Sequence, residues 1–251
     1  WSAELAVRRG VRAGEIEPGL PPPVGVGAQF RFTRTANAGG LLELDGIAVL
    51  LDGICGGVGP YLPTPPSLLE ELAGRRVDLA AFTHAHPDHL DPDGTQECLY
   101  AWGGPPVLGT RAVREALSPW PVTVGEGVSA GGVTVTPIPS RHIGAAYRTL
   151  EHSSLLIEGS RRLLFAGDAA PTQWEGGSIR PDVLLAPFAY AATPAAWRIV
   201  ERLAPERLVL LHLPARDNDP EGLWQAVEST LSRCRGIPVT IPAMGERTII
   251  P

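Results

Sequence analysis

Two short hairpins constrain the fold of this chain more than any other feature of its sequence. The stretch GGLLELDGIAVLLDG (residues 39–53) holds two apolar runs joined at Asp45-Gly46, a dipeptide typical of tight hairpin turns. The stretch HSSLLIEGSRRLLFAGD (residues 152–168) repeats the arrangement around Gly159-Ser160. Strands joined by such turns are antiparallel, whereas parallel strands need long crossover connections. The hairpins therefore argue against a single doubly wound parallel sheet.

The rest of the chain alternates strand-like and helix-like segments. Near-continuous apolar runs in VDLAAFTH, RPDVLLAPF and RLVLLHL predict strands that are buried on both faces. PPSLLEELAGRR, with Ser67 as its expected N-cap, and TPAAWRIVERLAPE, with Thr193, predict helices. Two mixed sheets covered by outer helices, an α/β (α+β) fold, account for this pattern. We expect one domain over residues 30–251, preceded by an arm or linker over residues 1–29 that contains PGLPPPVGVG.

Composition excludes several classes of function. The formal net charge is −6, so a nucleic acid is not an expected partner. Lysine is absent, which excludes a Walker-type phosphate loop and a Schiff-base lysine. No apolar run is long enough to span a bilayer, so no membrane association is expected. The three cysteines are far apart, which predicts free thiols in a reducing, cytoplasmic compartment.

A polar turn behind a buried strand carries the strongest chemical signal. AFTHAHPDHLDPDG (residues 81–94) contains half of the six histidines of the chain. His84 and His86 project to one side if the chain stays extended, and Pro87 favours that conformation for its predecessor. Asp88 and His89 then turn the other way. Two pairs of ligands that face different directions predict a site for two cations, and imidazole with carboxylate suits zinc, iron or manganese.

Other candidate ligands follow strands elsewhere in the chain. His142 follows VTVTPIPS, and His212 ends RLVLLHL. Asp168 follows the apolar run LLFAG, where an unpaired charge would be costly unless a cation satisfied it. His152 precedes a strand and is a further candidate.

These motifs, in this order, resemble the metallo-β-lactamase superfamily of hydrolases. The resemblance covers residues 30–251 and rests on H-x-H-x-D-H, a later His, G-D, a last His and the opening hairpin. It implies an αββα sandwich, the metallo-β-lactamase fold, with the active site at one edge. It also implies two divalent metal ions, zinc in the first place, with manganese and iron as alternatives. One ion would be held by His84, His86 and His142, the second by Asp88, His89 and His212, and Asp168 would bridge them.

The resemblance also assigns roles to neighbouring residues. His142 takes the ligand position, and His152 takes a supporting position before a strand. Asp88 would bind metal and orient the nucleophile in catalysis. The loop from Phe188 to Thr193 would line the pocket; Tyr190 is either a substrate contact or a core aromatic. Arg141 is either a grip for an anionic substrate or a solvated surface arginine.

The predicted activity is hydrolysis of a small-molecule ester, lactone, amide or phosphoester by a metal-bridging hydroxide. β-Lactamase activity itself is disfavoured, because the common enzymes carry a cysteine at the position of Asp168 and a lysine that this chain lacks. The stretch DVLLAPFAYAATPAAWRIVERLAPERLVLLHL resembles the broad group of hydrolases similar to the ascorbate-6-phosphate lactonase. Two alternatives stay open: a mononuclear iron oxygenase of the same fold and a non-catalytic metal-binding scaffold. The sequence leaves the substrate and the oligomeric state open.

Overall fold

The computed structural model describes residues 30–177, 179–234 and 236–250. The arm predicted for residues 1–29 lies outside the described residues. Within the described part of the chain, no helix is long and apolar enough to cross a membrane.

Seven strands form the first sheet, in the order β14-β1-β2-β3-β4-β5-β6. The strands from β14 to β3 pair antiparallel, and those from β3 to β6 pair parallel. Their bounds are β1 (Phe30–Arg34), β2 (Gly40–Leu44), β3 (Ile47–Leu51), β4 (Leu79–Ala81), β5 (Val107–Leu108), β6 (Val122–Thr123) and β14 (Arg247–Ile250).

Seven strands form the second sheet, in the order β13-β12-β11-β10-β9-β8-β7. It repeats the plan of the first sheet: the strands from β7 to β10 pair antiparallel, and those from β10 to β13 pair parallel. Their bounds are β7 (Val128–Ala130), β8 (Val133–Pro139), β9 (Ser153–Glu158), β10 (Arg162–Phe165), β11 (Val183–Pro187), β12 (Arg207–Leu211) and β13 (Val239–Thr240).

Five α-helices and three 3₁₀ helices occur among the described residues. The α-helices are α1 (Pro66–Ala73), α2 (Pro92–Ala101), α3 (Arg111–Ala116), α4 (Pro194–Leu203) and α5 (Leu223–Leu231). The 3₁₀ helices span Ala145–Tyr147, Pro171–Trp174 and Phe188–Tyr190.

Three apolar clusters show that the layers are stacked helix, sheet, sheet, helix. The central cluster contains side chains from both sheets, among them Phe32, Leu51 and Phe165. A second cluster packs α1 to α3 on the outer face of the first sheet, and a third packs α4 and α5 on the outer face of the second. Removal of these apolar surfaces from water drives the two sheets together. The predicted sandwich of two mixed sheets flanked by helices is confirmed.

Local predictions met mixed outcomes. Both hairpins form, as β2–β3 and β9–β10, and the Thr193 hydroxyl accepts a hydrogen bond from the backbone N–H of Ala196 at 3.1 Å. The expected cap at Ser67 is wrong, because α1 begins one residue earlier behind Pro65. The sequence did not predict α2, because its first turn, PDGT, consists largely of turn-forming residues.

Candidate metal centre

All seven predicted ligands lie just beyond the C-terminal ends of strands, four of them in one turn. The turn after β4 carries His84, His86, Asp88 and His89, while His142, Asp168 and His212 follow β8, β10 and β12 of the other sheet. Since the inner faces of the sheets pack together, these strand ends meet at one edge of the sandwich. The structure brings all seven side chains together there.

The candidate ligands form two groups of three. The ligand atoms of His84, His86 and His142 lie within 4.8 Å of one another, and we call this group the histidine triad. Those of Asp88, His89 and His212 also lie within 4.8 Å of one another, and we call this group the mixed triad. His89 belongs to a further group of the same size with His84 and Asp52.

Asp168 touches both triads. One carboxylate oxygen, Oδ1, lies 3.4 Å from Nε2 of His89 in the mixed triad. The other, Oδ2, lies 3.4 Å from Nε2 of His142 in the histidine triad and 3.5 Å from Nε2 of His212. Its side chain is therefore placed where a bridging ligand between two cations would lie.

A buried hydrogen-bond chain orients two of the histidines. The Thr83 hydroxyl donates to Oδ2 of Asp52 at 2.6 Å, which leaves its oxygen to accept from Nδ1 of His84 at 2.9 Å. Nδ1 of His89 donates to the same Asp52 carboxylate at 2.8 Å. With both Nδ1 atoms used as donors, each Nε2 faces the centre, as a metal ligand requires. Burial opposes charge on His89, but Asp168 and Asp52 outweigh it and raise the pKa of His89, so a cation would displace a proton from its Nε2. Because these bonds occupy its oxygens, Asp52 supports the centre from behind.

Further hydrogen bonds orient His142 and Asp168, two of the candidate ligands that follow strands of the second sheet. Nδ1 of His142 donates to the carbonyl of Ile143 at 2.6 Å, so its Nε2 also faces the centre as an acceptor. His152 accepts the backbone N–H of Asp168 on Nε2 at 3.0 Å and contacts the Ser140 hydroxyl through Nδ1 at 2.8 Å. Both nitrogens of His152 are thus engaged in holding Asp168, as expected of a supporting residue.

Orphaned polar atoms show that the residues fit a cation. Buried Nε2 of His84, His89 and His142, Oδ1 of Asp168 and both ring nitrogens of His212 have no hydrogen-bond partner among the described residues. Buried polar atoms are nearly always satisfied, so these atoms need an explanation, and five of the six can face one point because an imidazole presents only one ring nitrogen to a given point. Divalent metal ions coordinated by imidazole and carboxylate would satisfy them together.

The electrostatics agree with that fit. Burial favours a neutral Asp168, but the neighbouring His212 and His89 outweigh it and hold the pKa of Asp168 well below its usual range. Burial likewise opposes charge on Asp88, yet contact with His212 lowers the pKa of Asp88. Both carboxylates are charged at neutral pH. Burial, reinforced by His89, lowers the pKa of His84, which keeps that imidazole neutral and able to coordinate.

Backbone conformation at the centre is unusual for the residue types present. Asp52 and His212 have φ angles of 42° and 60°, in the left-handed region that non-glycine residues seldom adopt. Gly167, at φ 54°, allows Asp168 to approach the turn after β4, because a Cβ there would lie 2.6 Å from Cγ2 of Thr83. Non-glycine strain concentrated at one site is typical of functional sites.

The two predicted substrate contacts form hydrogen bonds with residues outside the two triads. Tyr190 is 0% exposed, and its hydroxyl accepts from Nε1 of Trp174 at 2.6 Å, which corresponds to the core aromatic that the sequence left open. Arg141 is exposed, and its guanidinium donates to the Thr172 hydroxyl at 2.9 Å. Of the predicted pocket loop, Phe188 does approach the centre, with its ring centroid 6.1 Å from that of His212.

Sequence reasoning missed three residues at the centre. Asp52 follows an apolar run, as Asp168 does, and that shared signal would have found it. The Tyr61 ring lies edge-on to His212 with centroids 4.5 Å apart, and the Tyr147 ring lies 4.8 Å from that of His142. No local pattern marks either tyrosine, because Tyr61 lies in a loop and Tyr147 ends a short 3₁₀ helix.

Comparisons with known proteins identify the family and the fold of this chain. A family model described as "Beta-lactamase superfamily domain" matches residues 48–213. A UPF0173 metal-dependent hydrolase from Thermofilum pendens is 30% identical over 189 residues, which cover 68% of this chain and 78% of the relative.

Two solved structures share the fold. Igni18, a metallo hydrolase from Ignicoccus hospitalis, superposes with a TM-score of 0.63 at 21% identity, over 89% of this chain and 99% of that one. CmlA, a diiron β-hydroxylase from Streptomyces venezuelae, superposes with a TM-score of 0.61 at 16% identity, over 99% of this chain and 59% of that one. The fold of this chain is the metallo-β-lactamase fold, and with the family model matching most of the chain, the protein belongs to the beta-lactamase superfamily.

Proposed function

We propose that the protein is a dinuclear metal-dependent hydrolase that cleaves an ester, lactone, amide or phosphoester bond of a small molecule. The observation that carries the proposal is the contact of Asp168 with both triads, through its two separate oxygens. Two adjacent divalent cations, when bound, lower the pKa of a shared water to near neutrality and polarise the oxygen of the substrate. Zinc suits the donor set best.

The residues of the chain divide the remaining tasks. His84, His86 and His142 hold one cation, Asp88, His89 and His212 hold the other, and Asp168 joins them. Asp88 is the catalytic residue: its carboxylate, which stays charged because its pKa is lowered, binds the cation and orients the attacking water. Asp52 and His152 hold His89 and Asp168 in place.

Tyr61 is placed to assist at the mixed triad. Burial, and then the charge of Asp168, raise the pKa of Tyr61 well above its ordinary value, so the phenol keeps its proton. A protonated phenol can donate a hydrogen bond to the oxygen that becomes negative as the bond is cleaved.

The proposal is tested with a panel of lactones, phosphodiesters and amides, assayed on protein loaded with zinc or manganese and on metal-stripped protein. We expect one substrate class to turn over only in the metal-loaded protein, and Asp88→Asn to lose that turnover with its fold intact. Full turnover by Asp88→Asn would overturn the role of Asp88. Equal turnover by stripped and loaded protein would overturn the metal-dependent mechanism.

One observation favours a second candidate, oxygen chemistry at iron, because a β-hydroxylase described as a diiron protein shares the fold. Metal analysis of the purified protein separates the candidates. Two equivalents of zinc or manganese favour hydrolysis, iron favours oxygen chemistry, and absence of metal favours a scaffold.

A further inference from the structure

A cavity of about 430 Å³ lies beside the mixed triad. It is formed by the end of β1, the loop at residues 61–62, the segment that follows His212, Trp224 and the loop at residues 241–244. Its volume falls in the range of small-molecule pockets. None of the seven candidate metal ligands lines it.

Three contacts connect the cavity to the centre. Tyr61 lines the cavity, and its ring contacts that of His212. The main-chain carbonyl of Asn37, another lining residue, accepts from the backbone N–H of His212 at 3.2 Å. Leu213 lines the cavity directly after His212 in the chain. A molecule in the cavity would therefore be held next to the mixed triad.

Most of the wall is apolar. Leu62, Leu213, Trp224, Ile241 and Met244 supply its hydrophobic surface. The indole N–H of Trp224 donates to the Pro214 carbonyl at 2.9 Å, so this group is already satisfied. Such a wall favours an apolar alkyl or aryl body.

Two polar residues, Asn37 and Arg34, interrupt the apolar lining of the cavity. Asn37 is 2% exposed, and its Nδ2 has no hydrogen-bond partner among the described residues. A buried amide without a partner is costly and indicates a missing acceptor. The backbone of Asn37 is fixed at both ends, since its N–H donates to Cys55 Sγ at 3.4 Å and its carbonyl accepts from Arg34 and His212.

Arg34 is the second polar group, and it brings an unpaired positive charge. Its guanidinium donates four hydrogen bonds, all to main-chain carbonyls, those of Ala36, Asn37, Leu213 and Pro242. No carboxylate pairs with it in the ranges that the structure describes. Burial lowers the pKa of Arg34 to about 10, so it stays charged at neutral pH with one N–H to spare. The other arginine of the lining, Arg216, is already paired with Glu228 at 2.7 Å.

We propose that the cavity binds a carboxylate-bearing apolar portion of the substrate. The Asn37 side chain, whose Nδ2 is shielded from solvent as it stands, would turn to donate to the carboxylate beside the positive charge of Arg34. The substrate class is therefore an alkyl or aryl carboxylic acid that carries its hydrolysable bond outside the cavity, at the mixed triad. This inference rests on the proposed function for the location of the cleaved bond, but the binding itself does not depend on turnover.

The test measures, by calorimetry at neutral pH, the affinity of the protein for 4-phenylbutyrate and for its uncharged analogue 4-phenylbutyramide. The full chain is stripped of metal, so that the carboxylate has no cation to bind, and its fold is checked by circular dichroism. We expect the carboxylate to bind about tenfold more tightly than the amide. Equal affinities, or no binding by either compound, would overturn the proposal.

Variants locate the site. Asn37→Leu keeps the approximate shape and removes the donor, and we expect it to weaken carboxylate binding about tenfold while the amide changes less. Met244→Trp fills the cavity and should abolish binding of both compounds. Asn218→Leu, the same change at an exposed asparagine outside the cavity, is the matched control and should bind as the wild type does. Unchanged carboxylate binding in Asn37→Leu would sink the assignment.

A second measurement covers the case in which stripped protein does not stay folded. The comparison of Asn37→Leu with Asn218→Leu is then made on zinc-loaded protein, since neither residue is a candidate ligand. A carboxylate affinity equal in both variants contradicts the proposal, and a loss confined to Asn37→Leu supports it. Failure to find any turnover would bear on the proposed hydrolase and leave this binding result standing.

Discussion

The two triads use the same edge of the sandwich but differ in charge, exposure and support. The histidine triad has three imidazoles, and its His86 is only half buried, next to the exposed Tyr147. The mixed triad contains a charged carboxylate, all three of its members are buried, and Asp52 orients its His89. The histidine triad is therefore suited to exchange with solvent, while the mixed triad and its cavity are suited to hold a substrate. Asp168, which belongs to neither triad, contacts members of both.

The largest effect is expected from Asp168→Ala, because this side chain contacts both triads. We expect the variant to lose bound metal at both sites and turnover to fall to background, as measured by elemental analysis and by the assay of the wild-type substrate. Asp217→Ala, at an exposed position, is the matched control and should behave as wild type. If the Asp168→Ala variant kept its full metal content, Asp168 would not be required for metal binding at either triad.

The next largest effect is the loss of one bound cation when a ligand of a single triad is replaced. His86→Ala removes one ligand of the histidine triad, and His212→Ala removes one of the mixed triad, so each variant should retain one cation of two. Because His86 is half buried, the cation of the histidine triad should also leave the wild-type protein faster when chelator is added. Two cations that leave together, at one rate, would contradict the difference in exposure.

Asp52→Asn should have a smaller effect, greater at the mixed triad, because Asp52 contacts His89 directly and His84 only through Thr83. The substitution keeps the size of the side chain but removes the charge that accepts from Nδ1 of His89. Loss of such a supporting partner typically weakens metal affinity about 10- to 100-fold. Competition with a chromogenic chelator measures it, and Glu43→Gln, at a half-buried position in β2, is the control. Unchanged affinity at the mixed triad would show that Asp52 has no part in it.

The smallest effect concerns pH and His152. Burial lowers the pKa of His152 to about 3, against about 6.5 in an unfolded chain. The folded state therefore favours neutral His152, and this stabilisation is complete above pH 6.5 and is lost as the pH falls toward 3. The contribution of His152 to the free energy of unfolding should fall by about 1.4 kcal/mol for each pH unit between pH 6.5 and pH 3. His152→Gln retains an acceptor for the Asp168 N–H and does not titrate. The free energy of unfolding, measured with urea on metal-free protein at pH 7 and pH 5, should therefore depend less on pH in the variant than in the wild type. An identical dependence in the two proteins would contradict this origin.

The same contrast between triads explains how much the sequence could predict. The turn after β4 delivers four ligands from six consecutive residues, so spacing alone identified it. His142, Asp168 and His212 come from three separate strands, and only their strand-end positions and a family resemblance pointed to them. The hairpins predicted the two sheets because Asp45-Gly46 fixes an antiparallel pair locally.

What the sequence could not supply depends on long-range contacts. Asp52 follows an apolar run, as Asp168 does, but the histidine that it supports is decided only when His89 folds back onto it. Tyr190 looked equally suited to the pocket and to the core, and packing against Trp174 decided its environment. Arg34 and Asn37 carry no motif, since their significance lies in partners about 180 residues away, such as Leu213. The assignment of the seven ligands stays a prediction.

The central claim is that two cations occupy adjacent triads with Asp168 between them. Anomalous diffraction at the zinc edge, from crystals grown with excess zinc, tests it most directly. We predict two peaks about 3.5–4 Å apart, one at His84, His86 and His142 and one at Asp88, His89 and His212, with an oxygen of Asp168 within bonding distance of each. A single peak, or two peaks with Asp168 turned away from both, would contradict the account.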